Sequence, residues 1–427
     1  MSSHFTRAVR ALVLTLLATL CGPALAIDAP LTLEEATRLA VERSRLVAAK
    51  DFAAQASQER AVAAGRLPDP VLKLGLDNLP IDGPDQFSTT RDSMTQRRIG
   101  LMQELTGSAK RRLRAERYER EADKASAEKA AAMADIERAT ALAWLDRSYL
   151  ESMAGVVAQQ AREAEREVEA AQAAYRAGRG SQADIIRARS ALVALADRAS
   201  ELGRRINNAK LRLARRIGDS AQRPLAAPPA SSATAPDPHA IESLLAQHPH
   251  IAVLASREAI GVAEAKLALA DKKSDWSVEV AFQQRGAAYS NMLSVSASVP
   301  LQWDQKNRQD RELSARLAEV EQAKAERDDA LLDQLAEVRE MLNDWRTSRE
   351  RLARYERELI PLALSRTAAQ TAAYRGGKAA LGDVLEARSA ELSVRLEALQ
   401  VEADAAQLWA NLHFIFPRHS AASKAAK

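Results

Sequence analysis

From about Lys110 to Arg176 a helix-forming run of Ala, Glu, Arg and Leu is interrupted only by Gly155, and about Asn307 to Tyr374 repeats the pattern. At 1.5 Å per residue each run predicts a helix of roughly 100 Å. Such a helix is stable only if its apolar stripe packs on neighbours for most of its length, as in a coiled coil or a helical barrel. Only 4% of residues are aromatic, which fits narrow helix-to-helix seams rather than one thick globular core. With 28% charged residues and a mean hydropathy of −0.30 the chain is no polytopic helical membrane protein. Its one cysteine, Cys21, excludes a disulfide scaffold, and 61 Lys and Arg against 57 Asp and Glu, interspersed, predict no nucleic-acid partner.

The chain carries one plan twice. Tyr175-Arg176-Ala177-Gly178-Arg179, followed by Asp184-Ile185-Ile186, recurs 199 residues later as Tyr374-Arg375-Gly376-Gly377-Lys378, followed by Asp383-Val384-Leu385. Asp69 and Asp275 open short alternating stretches 206 residues apart, and Leu105 with Lys110 matches Leu301 with Lys306 at 196. Repeats of this length are duplicated domains rather than solenoid units. The expected layout is a first repeat over 27–222, a Pro, Ala and Ser-rich linker over 223–238, a second repeat over 239–416 and a disordered basic tail over 417–427. Residues 1–26 read as a cleaved signal peptide: Arg7 and Arg10 precede the apolar run Ala11 to Leu20, and Ala24-Leu25-Ala26 is the small-x-small cleavage pattern. Cys21 as a lipidation site is the alternative, although Leu20 stands where that processing takes a small residue.

Each repeat reads as helix, strand pair, very long helix, turn and helix. Thr32 and Glu35 form a capping-box pattern that starts the first helix, and Gly65 with Pro68 ends it. Four segments alternate with period two, over about 70–77, 97–105, 276–284 and 292–301. Leu72, Leu74 and Leu76 oppose Lys73, Gly75 and Asp77; Ile99 and Leu101 oppose Arg98 and Gly100; Val278, Val280 and Phe282 oppose Ser277, Glu279 and Ala281; Leu293, Val295 and Ala297 oppose Ser294, Ser296 and Ser298. Alternation alone fits either a small antiparallel sheet with one wet face or transmembrane β-strands, apolar to lipid and polar to a lumen. An export signal, a duplicated plan and very long helices favour the second. Four strands cannot close a barrel, and an open edge in lipid is forbidden, so protomers must share one: two give 8 strands, three give 12.

The duplicated layout and the paired Tyr-x-x-Gly and Asp-hydrophobic-hydrophobic turns resemble the TolC-type outer-membrane efflux channels, from about Leu31 to Phe416. Asn78-Leu79-Pro80-Ile81-Asp82-Gly83-Pro84-Asp85, Thr90 to Thr95 and Gln103-Glu104 are similar to the heavy-metal branch that serves resistance-nodulation-division pumps. The resemblance implies a mainly α fold with a small transmembrane β part: a homotrimer with a 12-stranded barrel in outer-membrane lipid, standing on a periplasmic α-helical barrel. It also implies a periplasmic adaptor and an inner-membrane pump as partners, outside loops at Asn78 to Thr95 and Arg285 to Asn291, and periplasmic tips at the helix turns 175–184 and 374–383. Heavy-metal cations are the implied cargo, organic compounds the alternative.

At the tips Gly178 and Gly377 suit left-handed helix ends. Ser181 and Asp184 fit a capping box that by itself accounts for Asp184, whereas Asp383 has Ala380 three residues before it, and Glu386 lies one turn on. By the resemblance Asp383 and Glu386, with Asp184 nearby, ring the entrance, where crowded carboxylates attract cations; the competing reading is a solvated helix start. Tyr175, Gly178, Arg179, Tyr374, Gly377 and Lys378 are the candidate adaptor contacts.

No catalytic residues, cofactor or metal site are expected. His239, His248, His250, His413 and His419 do not fall into a ligand pattern, Met94, Met102 and Met292 are scattered, and there is no phosphate loop or nucleophile elbow. The chain therefore reads as a passive duct driven by a partner. A periplasmic adaptor would carry one helical hairpin between β-domains, and a coiled-coil structural protein would leave the strands unexplained.

Overall fold

The structure is a computed structural model that describes residues 29–229 and 244–417. The leader over 1–26 with Cys21, most of the linker, His239, and the tail beyond Pro417 with His419 lie outside them. The element order is α1 (Leu33–Arg43), α2 (Arg45–Ala64), β1 (Val71–Asp77), β2 (Gln96–Leu105), α3 (Ser108–Arg176), α4 (Gln182–Ile217), α5 (Pro249–Asp271), β3 (Trp276–Gln284), β4 (Met292–Ser298), α6 (Gln309–Arg354), α7 (Ile360–Arg375) and α8 (Leu381–His413). A helix, a strand pair, a long helix, a turn and a further helix thus occur in the same order in each half. Packing divides the chain differently, into one unit of Met1–Arg43, Glu137–Thr234 and Asp344–Asn411 and another of Ser44–Ile136, Ala235–Asn343 and Leu412–Lys427. Each unit draws on both halves of the sequence.

Local chemistry sets the helix limits. The first helix of the sequence reading is two helices. Thr32 Oγ1 accepts the Glu35 N–H at 3.1 Å, but the reciprocal arm of the capping box is replaced: the Glu35 carboxylate accepts from Arg223 at 2.7 Å. Ser44 then caps α2 by accepting from Val47 N–H at 3.3 Å, so the chain breaks at a residue that favours caps over helix interiors. The second long run also departs from the expectation of one unbroken helix. Tyr355–Leu359 forms a π-turn between α6 and α7, and Pro361 stands in the first turn of α7. Proline has no N–H to give and crowds the preceding turn, so the ladder widens just before it. No proline falls within α3, which runs unbroken for 69 residues.

In the unit that holds the strands, α5 is tied to α3 and α6 by ion pairs. Glu264 accepts from Arg117 at 2.7 Å and from Arg316 at 3.0 Å, Glu258 accepts from Arg327, and Lys50 of α2 reaches Glu128 at 2.6 Å. Many of the buried residues on α3 and α5 are small, among them Ala122, Ala125, Ala131, Ala132, Ala134, Ala263, Ala265 and Ala268, which lets helix backbones approach closely, while Leu245, Ile251, Val338 and Leu342 are larger buried residues of the same unit.

In the other unit a tryptophan anchors the core. Trp144 and Leu145 of α3 are fully buried with Leu31 and Leu213. Trp144 Nε1 donates to the Leu31 carbonyl at 3.2 Å, and Leu31 pairs in parallel with Leu225. The first linker residues are therefore ordered by backbone pairing rather than irregular. Further along, Leu150, Met153 and Val157 of α3, Leu202 and Ala209 of α4, and Leu392 and Leu396 of α8 form one seam. Beside it Tyr149 Oη donates to Glu402 at 3.3 Å, and burial raises the Glu402 carboxyl above the ordinary glutamate range.

A raised carboxyl binds its proton more tightly in the folded than in the unfolded chain, so its contribution to stability falls as pH rises from the unfolded value through the folded one. Glu402→Gln keeps an oxygen for Tyr149. It is expected to unfold at a higher temperature than wild type at pH 7, with the gap closing towards pH 5, in thermal melts followed by circular dichroism.

Candidate functional site: the sheet face and the paired helix turns

The four strands form one antiparallel sheet in the order β1-β2-β3-β4. The central pairing, from Arg97↔Gln284 to Leu105↔Trp276, joins the hairpin of the first half to that of the second. Register then sorts the side chains. Leu72 pairs with Leu101, Leu101 with Val280 and Val280 with Val295; Leu74 pairs with Ile99, Ile99 with Phe282 and Phe282 with Leu293. Two continuous apolar rows cross one face, and Leu74, Leu293 and Val295 on it are at least 70% exposed. Along the ordered strands this face breaks to polar only near its ends, at Arg97, Gln103 and Gln284. The opposite face carries Lys73, Asp77, Arg98, Glu104, Glu279, Gln283 and the serines of β4.

So large an apolar surface is unstable against water, at about 25 cal/mol for every Å² left exposed. β1 and β4 are also edge strands, with backbone donors and acceptors along their outer sides. The loops that join the strands are closely fitted. Thr95 Oγ1 donates to the Asn78 carbonyl at 2.9 Å, Gln86 Nε2 donates to the Ile81 carbonyl at 2.8 Å, and a Cβ on Gly286 would stand 1.8 Å from the Thr90 carbonyl oxygen.

The two helix turns repeat each other bond for bond. At α3 the N–H groups of Ala177, Gly178 and Arg179 donate to the carbonyls of Ala173, Tyr175 and Ala174; at α7 Gly376, Gly377 and Lys378 donate to Ala372, Tyr374 and Ala373. Gly178 and Gly377 take φ of +69° and +70°, with open space where a Cβ would be. Their requirement is the backbone angle, not room.

Behind the turns Ala171, Ala188, Leu381 and Val384 are buried together, joined by Val168, Ile185, Tyr374 and Leu385. The two tyrosines of the shared motif thus differ, since Tyr374 packs into this knot and Tyr175 is exposed. Arg179 and Lys378 are exposed and have no ion-pair partner among the described residues.

Among the acids, Asp184 completes a full capping box with Ser181, whose hydrogen bonds hold its carboxyl below the usual aspartate range. Asp383 also serves its helix start, because the Ala380 N–H donates to its carboxylate at 3.0 Å. A side-chain acceptor at residue 380 is not needed for that arm of the box. Glu386 is exposed and paired with Arg366 at 3.0 Å. Asp184 also lies 3.6 Å from Arg187, so two of the three acids have an arginine beside them, and the sequence pattern did not reveal Arg366 because it lies 20 residues away on α7.

No group of three or more His, Cys, Asp or Glu among the described residues is placed to hold a metal ion. His248 caps α5 and stacks on His250, which meets Asp135 at 3.2 Å.

Residues 240–416 match the family model described as outer membrane efflux protein. No curated protein matches the chain by sequence. In fold, the chain is similar to the outer-membrane channel OprN (TM-score 0.74, 17% identity, 90% of this chain and 89% of that one). It is similar also to the outer-membrane protein VceC of Vibrio cholerae (0.72, 19%, 90% and 95%) and to the transmembrane channel CusC (0.75, 13%, 89% and 91%). The second half of the chain thus carries the pattern of the outer membrane efflux proteins, and the described chain has the fold of these channels.

The turn geometry predicts opposite signs for two glycine substitutions. Gly377→Ala should cost about 1–2 kcal/mol because of its left-handed backbone, whereas Gly155→Ala, in the open interior of α3, should gain up to about 1 kcal/mol. Thermal unfolding of both variants checks the contrast.

Proposed function

We propose that the chain is the outer-membrane channel of a tripartite efflux system, a passive duct and not an enzyme. Three copies would share one barrel of twelve strands, four from each, and the helices would continue the duct into the periplasm. The observation that carries this reading is the sheet, whose apolar face and free edges are both satisfied when copies close it within lipid. The match of residues 240–416 to the outer membrane efflux family supports it.

Energy would come from an inner-membrane resistance-nodulation-division pump linked through a periplasmic adaptor. The adaptor would meet the paired turns, where Arg179, Lys378 and Tyr175 are exposed and two near-identical loops offer two equivalent footholds per copy. Gly178 and Gly377 would fix the loop shape and Tyr374 would hold it from behind. The entrance would be lined by Asp383, Glu386 and Asp184, with Arg366 offsetting Glu386 and Arg187 offsetting Asp184 in each copy.

Heavy-metal cations are the proposed cargo, on the similarity of Asn78 to Asp85 and Thr90 to Thr95 to the metal branch; the likeness to CusC is one of fold. Organic compounds are the competing cargo. A strain lacking the gene should become sensitive to one or more of copper, silver, zinc, cobalt and nickel and should accumulate that metal, with both effects reversed by complementation. Sensitivity to organic drugs alone would keep the channel and replace the cargo. An unchanged profile across metals and drugs would contradict an efflux role.

A further inference from the structure

Glu279 of β3 lies on the polar face of the sheet and is only 8% exposed. Its Oε2 accepts from Lys73 Nζ on β1 at 2.7 Å, and its Oε1 accepts from the Arg98 guanidinium on β2. The register explains how one carboxylate spans three strands. Lys73 pairs with Gly100 and Gly100 with Ala281, so the ground between the two cations has almost no side chain on it. A Cβ on Gly100 would stand 3.1 Å from Glu279 Oε1 and 3.1 Å from the Ala281 Cβ. The missing side chain is the groove in which the carboxylate lies. The clasp joins partners 206 and 181 residues apart in sequence and so ties the hairpin of one half to that of the other.

The charges around it are few. On this face of the strands Asp77, 3.9 Å from Arg98, and Glu104 are the other acids, and Lys73 and Arg98 are the cations. Without Glu279 both cations would lose their nearest counter-charge. We propose that Glu279 is a selectivity residue of the duct: by offsetting the charge of Lys73 and Arg98 on the lumen wall it keeps the middle of the barrel from favouring anions. The inference rests on the reading that the polar face lines a shared barrel. It places a determinant of charge preference in the barrel itself, apart from the acids of the helix turns.

The test reads local potential directly, whatever the state of the entrance. Ser296 pairs with Glu279 across β3 and β4, and its neighbour Val295 is on the apolar face. Ser296→Cys and Val295→Cys are made in the full chain, inserted in membranes, and treated with cationic and anionic methanethiosulfonates of equal size. The expected result is modification of Ser296→Cys with a preference for the cationic reagent, and protection of Val295→Cys. Adding Glu279→Gln should lower the cationic-to-anionic rate ratio at Ser296→Cys roughly sevenfold, as expected for one charge removed at about 7 Å in water. Adding Lys73→Gln should raise it, and the Glu279→Gln/Lys73→Gln pair should bring it back towards its starting value.

An unchanged ratio in the Glu279 and Lys73 variants would overturn the role of the clasp. Should Glu279→Gln fail to insert by itself, the Glu279→Gln/Lys73→Gln pair compared with Lys73→Gln alone isolates Glu279, and an equal ratio in those two would overturn its role. Labelling of Val295→Cys together with protection of Ser296→Cys would instead overturn the barrel reading on which the inference rests.

Discussion

A four-stranded sheet with one apolar face cannot satisfy itself. Its two rows of large side chains, from Leu72 to Val295 and from Leu74 to Leu293, call for an apolar solvent, and its outer strands β1 and β4 present backbone groups that an apolar solvent cannot satisfy. Lipid relieves the face and aggravates the edges, while pairing with further copies relieves the edges and leaves the face for lipid. On the proposed reading both demands are met together by a closed sheet built from several chains. The proposal of further copies thus rests on hydrogen-bond accounting at the open edges of the sheet as well as on likeness to known channels.

The helical part answers a different problem, that of making long helices without a thick core. One unit combines alanine contacts with ion pairs, as where Glu264 of α5 holds Arg117 and Arg316, and with a few larger buried residues such as Val338 and Leu342. The other uses an apolar seam and the Trp144 anchor. Exposed side chains such as Ile186, Val193, Leu332 and Leu362 remain outside both. Substitution at these partly exposed ion pairs should cost little, because solvent screens them, whereas substitution in the seam acts through cavity formation and costs more.

Much of this was legible in the residues, and the exceptions have physical causes. The strands announced themselves because period two on a pleated sheet maps directly onto faces, so the alternation of Ser294, Ser296 and Ser298 against Leu293, Val295 and Ala297 could be read without partners. The π-turn before Pro361 was hidden because the residues around it favour helix and proline is tolerated in a first turn. The break at Ser44 was hidden by the helix formers on either side. Side-chain partners were the least legible. Arg366 beside Glu386, Arg223 beside Glu35, and the Lys73–Glu279–Arg98 clasp all join residues whose distance in sequence carries no signal. The differing fates of Tyr175 and Tyr374 are invisible in a motif that the two share.

The central claim is that β1 of one copy closes against β4 of another. Single cysteines on these edges, at Leu72 or Leu74 and at Leu293 or Val295, combined in one chain and oxidised in the membrane, test it most directly. The account predicts that some pairing yields a covalent trimer and no larger species. Cross-links only within single chains, or none across the whole set of pairs, would contradict it.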